Sequence, residues 1–365
     1  MYKNHIESFS IKNYRIFKSY SMSGLSHVNV IGGLNGIGKS TLLEAIFLYF
    51  DRSNPIGLLR SYQLRKVPLG PSDNVNAIKQ IFYRADVSKE IEILAKCQGE
   101  EKVVKYKFGK QAVSKPMAQQ VNQDQINQLV AETMFSTTGE GYSIDVSSKI
   151  NGKEFEAQVQ SAGPGLVVNI KLNRPVEVVK ATLLTSYNRG NDPGIPERYS
   201  KIKRQGKEGA ALRFLQVVHP NVEELSLLSS GGTTILHANI GNGQFIPFQF
   251  LGEGAVGLIS AILSIVDCSG GNVLLDELDS AVHYSALEKM WLLLIEVAIE
   301  FKTQIFITTH SGESINALVE ALKKNGKHDV VAYHRLRPEK SGDVSAVTYK
   351  GQQLSDAIAQ RWEVR

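Results

Sequence analysis

Cysteine is scarce in this chain: the only two, Cys97 and Cys268, stand far apart and outside any C-x-x-C pair. This spacing offers neither a disulfide framework nor a zinc hook, and it fits a reducing compartment. Long apolar runs are missing too, since no window reaches the roughly 18 uncharged apolar residues of a membrane span. The N-terminus lacks the charged-then-apolar pattern of a leader. We therefore expect a cytoplasmic protein that acts outside the membrane.

Neither sign of charge dominates, because 41 Lys and Arg residues against 36 Asp and Glu residues leave a net charge of only +5. Basic residues cluster only locally, as at Lys201, Lys203, Arg204 and Lys207. So small an excess permits contact with nucleic acid without predicting it. A hydrophobic content of 42% is ordinary for a chain with a full core, and the length allows one large or two modest domains.

The most informative pattern is Gly33–Thr41, which fits G-x-x-x-x-G-K-[ST]. An apolar strand precedes it at 28–31, and apolar residues at helical spacing follow it. In this setting glycines let backbone N–H groups wrap phosphates, and the helix N-terminus adds its positive dipole. Lys39 would reach the β- and γ-phosphates, and Ser40 would ligate Mg²⁺. The pattern predicts a site for ATP and Mg²⁺ with nucleotide contacts from Gly33, Asn35, Gly36, Gly38, Lys39, Ser40 and Thr41.

A second apolar strand, 272–275, ends in Asp276 and Glu277, where a P-loop fold places its Walker B acids. Asp276 would hold the Mg²⁺ shell together with Ser40, while Glu277 would polarise the attacking water as a general base or water positioner. A strand that ends in two acids is a weak signal alone, and it becomes strong after a P-loop. We predict Asp276 as a metal residue and Glu277, with Lys39, as catalytic.

A third buried strand, 303–309, ends in hydroxyl groups and His310, and a helix follows from about Glu313. Ligands of open α/β sheets collect outside the carboxyl ends of the strands. His310 could therefore contact the γ-phosphate or the attacking water. A lone histidine after a strand usually belongs to a turn, but its place after the two earlier motifs favours a catalytic role.

A glycine-rich turn at Gly252, Glu253 and Gly254 leads into an apolar helix that runs to about Asp267. This segment resembles the signature motif of ABC-type ATPases, with Gly252 at the usual serine position. All four landmarks occur in the order found in ABC-like heads. The chain thus resembles the AAA-family ATPases with such heads, which include the overcoming-lysogenization-defect (OLD) ATPases and the heads of structural-maintenance-of-chromosomes (SMC) proteins.

The resemblance covers most of the chain. Residues 6–17 look like the first strand and aromatic-Arg element of those heads, residues 213–220 like the element ahead of the signature hairpin, and residues 276–283 like Walker B plus the D-loop. The end, 362–365, is also similar to this group. Ile37, where a small residue is commoner, and Gly252 depart from the family pattern, and they bear on the rate of hydrolysis more than on nucleotide binding.

The resemblance implies a head-to-tail homodimer or higher homo-oligomer, in which the signature loop of one subunit closes over the ATP held by the P-loop of the other. Other contacts stay open. Tyr14 and Arg15 could touch the nucleotide, although Tyr14 is as well placed for the core. Gln80 could be a Q-loop residue, with a surface glutamine the favoured alternative. Arg213 and His219 could form an R-x5-H ribonuclease pair, but their place within the family's element is preferred.

The predicted fold class is α/β, an ABC-type P-loop ATPase head with β-hairpin and helical insertions. We divide the chain into an ATPase core at 1–50 and 219–365, a hairpin-rich part at 51–175 and a helical insertion at 176–218. Strands 87–97 and 102–108 flank Gln98-Gly99, and strands 144–150 and 155–159 flank Asn151-Gly152. A helix is predicted over 118–135. No sustained heptad run appears, which argues against long coiled-coil arms.

OLD nucleases carry a TOPRIM domain after the head, and we expect none here because few residues follow His310. Stand-alone heads of this family often accompany toxins or nucleases in bacterial anti-phage defence. The resemblance therefore implies a nucleotide-controlled sensor or gate for a separate effector protein. The alternative is a DNA-repair or DNA-maintenance ATPase that clamps nucleic acid after ATP-dependent dimerisation. A subunit of a membrane transporter is disfavoured, and a catalytically weak nucleotide-dependent scaffold stays possible because of Gly252.

Overall fold

Two β-sheets lie on either side of one buried helix. The computed structural model describes residues 5–65, 74–111, 141–150, 153–162, 165–172, 179–187, 194–241 and 243–360. The strands are β1 Ser8–Tyr14, β2 Phe17–Ser23, β3 Val28–Gly32, β4 Ile91–Cys97, β5 Glu100–Gln111, β6 Gly141–Ile150, β7 Lys153–Ala162, β8 Gly165–Leu172, β9 Ala181–Leu184, β10 Glu224–Ser230, β11 Thr233–Asn239, β12 Phe245–Pro247, β13 Asn272–Leu275, β14 Gln304–Thr308, β15 Val331–Pro338 and β16 Val344–Lys350.

Helices cover both faces of the first sheet. In the described ranges this sheet has six strands in the order β16-β15-β3-β14-β13-β9, the second has seven in the order β2-β1-β4-β5-β6-β7-β8, and a small third has the order β10-β11-β12. The helices are α1 Lys39–Phe50, α2 Gly57–Leu64, α3 Asn74–Lys79, α4 Ile195–Arg204, α5 Glu208–Leu215, α6 Glu253–Asp267, α7 Tyr284–Glu300, α8 Gly312–Asn325 and α9 Gly351–Ala359.

The six-stranded sheet brings the three motif-bearing strands together. β3 and β13 both pair with β14 in parallel, and β9 pairs in parallel with the other side of β13. The carboxyl ends of β3, β13 and β14 therefore meet at one edge of the sheet. The three predicted buried strands are confirmed, and so is the predicted α/β class.

Helix α1 is enclosed between the two large sheets. Its residues are buried on every side except at Ser40, which fits a sequence that is apolar all round rather than on one stripe. One face of the six-stranded sheet, including Leu274 and Phe306, packs with α1 and with the antiparallel sheet. The phosphate loop at the start of α1 is thus held by the core on two sides.

The opposite face of the six-stranded sheet carries α6, α7 and α8. Val273 and Ile307 point to this side, since successive residues of a strand face opposite ways, and they share a core cluster with the buried residues of α6. Trp291 of α7 lies in the same cluster and donates its indole N–H to the Ser314 carbonyl at 3.0 Å. Consequently α1 and α6 occupy opposite faces of one sheet.

The predicted hairpins are present, and they extend a sheet that begins at the N-terminus. β4 and β5 pair antiparallel, and Gln98 (φ 53°) with Gly99 (φ 81°) makes the tight turn that the dipeptide indicates. β6 and β7 pair in the predicted way as well. β1 pairs with β2 on one side and with β4 on the other, so residues from 1–50 and from 51–175 build one sheet. The turn at 151–152 and the helix predicted over 118–135 lie outside the described residues.

The predicted helical region 176–218, interrupted by a loop at 190–196, is wrong at β9. Ala181–Leu184 is a strand of the six-stranded sheet, in register with Asn272–Leu275 of β13. A four-residue apolar run cannot be told from a helical segment by periodicity alone. α4 and α5 supply the predicted helices farther along, and residues 362–365 lie outside the described chain. None of the described helices has the length and apolar character needed to span a bilayer.

A buried histidine makes the fold sensitive to acid. His334 on β15 is fully buried, with Nδ1 2.9 Å from the Thr348 hydroxyl and Nε2 3.3 Å from the Asn29 amide oxygen. Desolvation, with a smaller contribution from the Lys350 charge, lowers its pKa to about 3. Below pH 6.5 the histidine therefore binds a proton more readily in the unfolded chain than in the folded one. The stability that neutral His334 contributes is complete above pH 6.5 and is lost as the pH falls toward 3.

We expect the free energy of unfolding to fall by about 1.4 kcal/mol per pH unit for this group below pH 6.5. His334→Gln should be less stable at pH 7 but should show a shallower loss between pH 6.5 and 4.5. Urea unfolding at a series of pH values measures the slope, and the exposed His283→Gln serves as the matched control. An unchanged slope in His334→Gln would contradict this assignment.

Candidate active site

The phosphate loop runs from the end of β3 to the start of α1. Gly38, which precedes the helix, has φ 101°, a conformation that side chains rarely adopt. A Cβ at this position would lie 2.2 Å from Cδ1 of Ile16, the movable end of a side chain, so the backbone conformation is the stronger requirement for glycine. Ile16 thus closes one side of the loop, a contact that motif analysis does not reveal.

Lys39 lies across the loop. Its ammonium group donates to the carbonyl oxygens of Gly33 at 2.9 Å and Leu34 at 3.0 Å. Desolvation lowers the pKa of this ammonium group, while the nearby charges of Glu277 and Asp276 act in the opposite direction. A cation so placed, beside N–H groups at the start of a helix, suits a phosphate group.

Three side chains join α1 to the Walker B strand and its neighbour. The Ser40 hydroxyl donates to Oδ1 of Asp276 at 2.9 Å, and the Thr308 hydroxyl donates to the same oxygen at 2.6 Å. Asp276 is 8% exposed. Hydroxyl and carboxylate oxygens are the ligands that Mg²⁺ accepts, usually with substrate phosphates completing the shell. Ser40 and Asp276, predicted from separate motifs, therefore fit one magnesium position.

Glu277 and His310 form a second polar pair at the same edge. Glu277 adopts a left-handed backbone conformation, φ 51° and ψ 46°, and its N–H donates to the Thr308 hydroxyl at 2.9 Å. Its Oε1 lies 3.1 Å from Nδ1 of His310. An unfavourable backbone conformation for a side chain larger than glycine is a common feature of active sites. The carboxylate, about one-third exposed, can accept a proton from a water at this edge.

The residues present fit Mg²⁺ and a nucleoside triphosphate. Ser40 and Asp276 would hold the metal, and the loop from Gly33 to Lys39 would hold the phosphates, as the glycine conformations require. Bound Mg²⁺ would neutralise charge on the phosphates. Thr308, whose hydroxyl links Asp276 to the backbone of Glu277, is a member of this site that the motifs alone do not identify.

The predicted signature loop stands at the start of α6. Gly252 and Glu253 are exposed, and a Cβ on Gly254 would lie 2.4 Å from the carbonyl oxygen of Ala281. His219 bonds the Leu251 carbonyl at 2.6 Å and so fixes the approach to this loop. Arg213 is exposed on α5. Together with the His219 contact, this supports a structural role for the two residues rather than a ribonuclease pair.

The remaining candidate residues lie in the core, in an ion pair or on the surface. Tyr14 is 1% exposed and belongs to the core. Arg15 pairs with the buried Glu44 of α1 at 3.6 Å, one turn beyond Ser40, so its contact with nucleotide stays a prediction. Gln80 is exposed after α3. Ile37, the departure within the loop, packs against the core near Gly33, which gives its larger side chain a structural role.

Comparison with known proteins matches the part of the chain that carries the phosphate loop. Residues 5–156 match the family model described as AAA ATPase domain. The matched segment contains the phosphate loop and α1, while Asp276, Glu277 and His310 lie beyond it. Asp276, Glu277 and His310 lie near the phosphate loop because β14 pairs with both β3 and β13 in the six-stranded sheet.

Relatives and solved structures extend the match. A Helicobacter pylori protein named ATP/GTP phosphatase is 22% identical over 343 residues, which is 87% of this chain and 89% of that protein. An uncharacterized Methanocaldococcus jannaschii protein is 23% identical over 233 residues, 64% of this chain and 94% of that protein. The SMC head crystallised with the C-winged helix domain of ScpA has a TM-score of 0.51 at 12% identity, covering 97% of this chain and 99% of that one. It shows the same fold.

Glu277→Gln should keep ATP binding and lower the turnover number about 100- to 1,000-fold, because the amide cannot accept a proton from water. Phosphate release and binding of a fluorescent ATP analogue measure the two properties. Glu313→Gln, which removes an exposed carboxylate three residues after His310, is the matched control. Equal turnover in the two variants would show that Glu277 is not the base.

Proposed function

The chain is an ATPase with an AAA/ABC-like head, and on that premise we propose that it works as a head-to-tail dimer with ATP between the subunits. One observation carries this proposal. The P-loop helix α1 and the signature helix α6 pack on opposite faces of the six-stranded sheet. The start of α6 therefore cannot cover the phosphate loop of its own chain. A second copy, related by a two-fold axis, can supply it.

Exposed apolar side chains support the same surface. Six large hydrophobic residues are exposed in the described ranges. Five of them stand in segments next to the phosphate loop, the end of β9, the turn after β13 or the signature loop, and Leu228 of β10 does not. A second subunit that covers the nucleotide-binding end of the sheet would bury such apolar side chains. The five are Ile16, Leu34, Tyr187, Phe250 and Tyr284, with Phe250 78% exposed.

In the proposed reaction each chain contributes the phosphate loop to one ATP site and the signature loop to the other. Lys39 would leave the loop carbonyls to bind the β- and γ-phosphates, and Ser40 and Asp276 would hold the metal. Glu277 takes a proton from the attacking water while His310 keeps its carboxylate in place. N–H groups at Gly252–Gly254 of the second copy face the γ-phosphate and stabilise the charge that develops there.

Mg·ATP should dimerise the Glu277→Gln variant, because the nucleotide then bridges two subunits and persists. Light scattering after gel filtration should give a dimer with ATP and a monomer with ADP. Adding Phe250→Ser should weaken the dimer about 10-fold or more, because it removes a large apolar contact. The control is Leu228→Ser, which shortens an exposed apolar residue away from the interface. A monomer in ATP, or equal effects of the two serine variants, would contradict the proposed dimer.

We further propose that opening and closing of this dimer gates a separate effector, a toxin or nuclease, in bacterial anti-phage defence. Loss of the γ-phosphate removes the contacts of Lys39 and of the second copy's signature loop, which favours opening. The support for an effector is the family resemblance, together with a nucleotide cycle whose output is a change in subunit contacts. A separate protein bound to the closed dimer would lose contacts when the dimer opens.

Affinity purification from the native host tests the effector. We expect the product of a neighbouring gene to bind the ATP-locked Glu277→Gln dimer and to dissociate when ATP is replaced by ADP. Lys39→Ala, which lacks the phosphate-binding ammonium group, should not retain it in a nucleotide-dependent way. An effector that binds all three forms equally, or no bound protein, would count against gating.

The alternative function, a clamp on DNA, has one supporting feature in the structure. Lys203 and Arg204 are exposed at the end of α4, whereas Lys201 is paired with Asp267. Duplex binding that appears only with ATP and weakens steeply with salt would favour this function, because contacts to phosphates release counterions. The same ATP-locked variant can be used for this measurement.

A further inference from the structure

One buried hydroxyl group lies between the acid that would hold the metal and the acid that would act as the base. Thr308 is the last residue of β14 and is fully buried. Its hydroxyl donates to Oδ1 of Asp276 at 2.6 Å and accepts the backbone N–H of Glu277 at 2.9 Å. A threonine hydroxyl has a single hydrogen, so these two bonds give it one orientation. The same side chain therefore contacts two neighbouring residues of the site.

The first bond orients the carboxylate of Asp276. Oδ1 also accepts the Ser40 hydroxyl at 2.9 Å, so two hydroxyl donors occupy this one oxygen. The other oxygen, Oδ2, makes no hydrogen bond within the part of the chain that the structure describes. Hydrogen-bond partners of this kind orient metal ligands and change their affinity for the metal. Without the Thr308 donor, only the bond from Ser40 would orient Asp276.

The second bond acts on the backbone of Glu277. This residue has φ 51° and ψ 46°, a conformation that costs free energy in any residue with a side chain and persists only where surrounding contacts hold it. Ser280 holds the carbonyl side, since its N–H and its hydroxyl donate to the Glu277 carbonyl at 3.1 and 2.8 Å. Thr308 holds the N–H side. Because the backbone sets where the side chain lies, the Thr308 bond bears on the 3.1 Å approach of the Glu277 carboxylate to His310.

From this arrangement we infer that Thr308 is a positioning residue that serves both the metal and the base. Its donated bond keeps Oδ2 of Asp276 available for the magnesium shell, and its accepted bond keeps the Glu277 carboxylate beside His310. The inference rests on the proposed roles of Asp276 as metal residue and Glu277 as base, and it does not require the dimer. Loss of the hydroxyl therefore has two separable effects, weaker use of Mg²⁺ and slower hydrolysis when Mg²⁺ is saturating.

The effect on the metal can be measured without turnover, in Thr308→Val, which keeps the side-chain shape and removes the hydroxyl. Mg²⁺ should raise the affinity of the native protein for a fluorescent ADP analogue. In Thr308→Val this gain should be smaller by about 10-fold, whereas the affinity in EDTA should be unchanged. Thr308→Ser should restore the gain, and Thr308→Ala should lose it if Thr308→Val does not fold. A native gain in a folded variant without the hydroxyl would overturn the inference.

A double-mutant cycle tests the effect on the base. At saturating Mg²⁺, Thr308→Val should lower the turnover number by on the order of 10-fold in the native protein, because the carboxylate of Glu277 is displaced. In Glu277→Gln, which has no base to displace, the same change should lower the residual turnover less than about 2-fold. Equal losses in the two backgrounds would show that Thr308 does not act through Glu277, and the inference would be wrong.

Thr303→Val is the matched control for a purely structural effect. Thr303 is also fully buried, stands just before the start of β14, and donates its hydroxyl to the Ile265 carbonyl at 3.1 Å. Its replacement should lower stability to urea and leave both the Mg²⁺-linked gain and the turnover number unchanged. If Thr303→Val lost as much of either as Thr308→Val does, general destabilisation would explain the losses and the inference would fail.

Two further variants separate this inference from the roles on which it rests. If Asp276→Asn keeps the Mg²⁺-linked gain, or Glu277→Gln keeps native turnover, the proposed metal residue or base is wrong and the inference fails with it. If both variants lose these properties while Thr308→Val behaves like the native protein, only the inference about Thr308 is overturned.

Discussion

Enclosure of α1 between two sheets is the constraint on which the rest of the structure depends. A helix that is buried on nearly every side cannot shift without opening two cores, so the loop at its start is held in one place. Ser40 is the position where the helix reaches the surface, and it meets Asp276 there. The apolar sequence of α1 thus fixes the phosphate-binding end of the site before any ligand contact is made.

The opposite sheet face has a different role. α6 reaches the same edge as α1 but from the other side, and Gly254 keeps its start in contact with the Walker B turn. Glu277 and His310 stand between these two helices, and their side chains stay partly exposed. In the proposed dimer a second subunit would exclude the remaining water from this partly exposed pair, while the buried core below it holds the pair in place.

Local patterns in the sequence predict part of the site. Gly38, Lys39 and Asp276 stand in motifs whose glycines, charges and flanking strands have direct physical meanings. Contacts between distant segments have no such pattern, as with the hydroxyl of Thr308 on Asp276, because a threonine at a strand end has no special spacing. β9 was missed since its four apolar residues carry no period. The pairing of β1 with β4 could not be predicted from local patterns, because strand order depends on the whole sheet.

The position of β3 has a consequence for the newly made chain. Val28 pairs with Ile305 on one side and Val331 on the other, so both neighbours of the phosphate-loop strand are synthesised long after it. At roughly 5–20 residues per second, that strand waits on the order of tens of seconds for its first partner. Pairing across such a separation also carries a high loop-closure entropy, which slows folding. The ribosome must therefore have made β14 or β15 before the nucleotide-binding strand can enter its sheet.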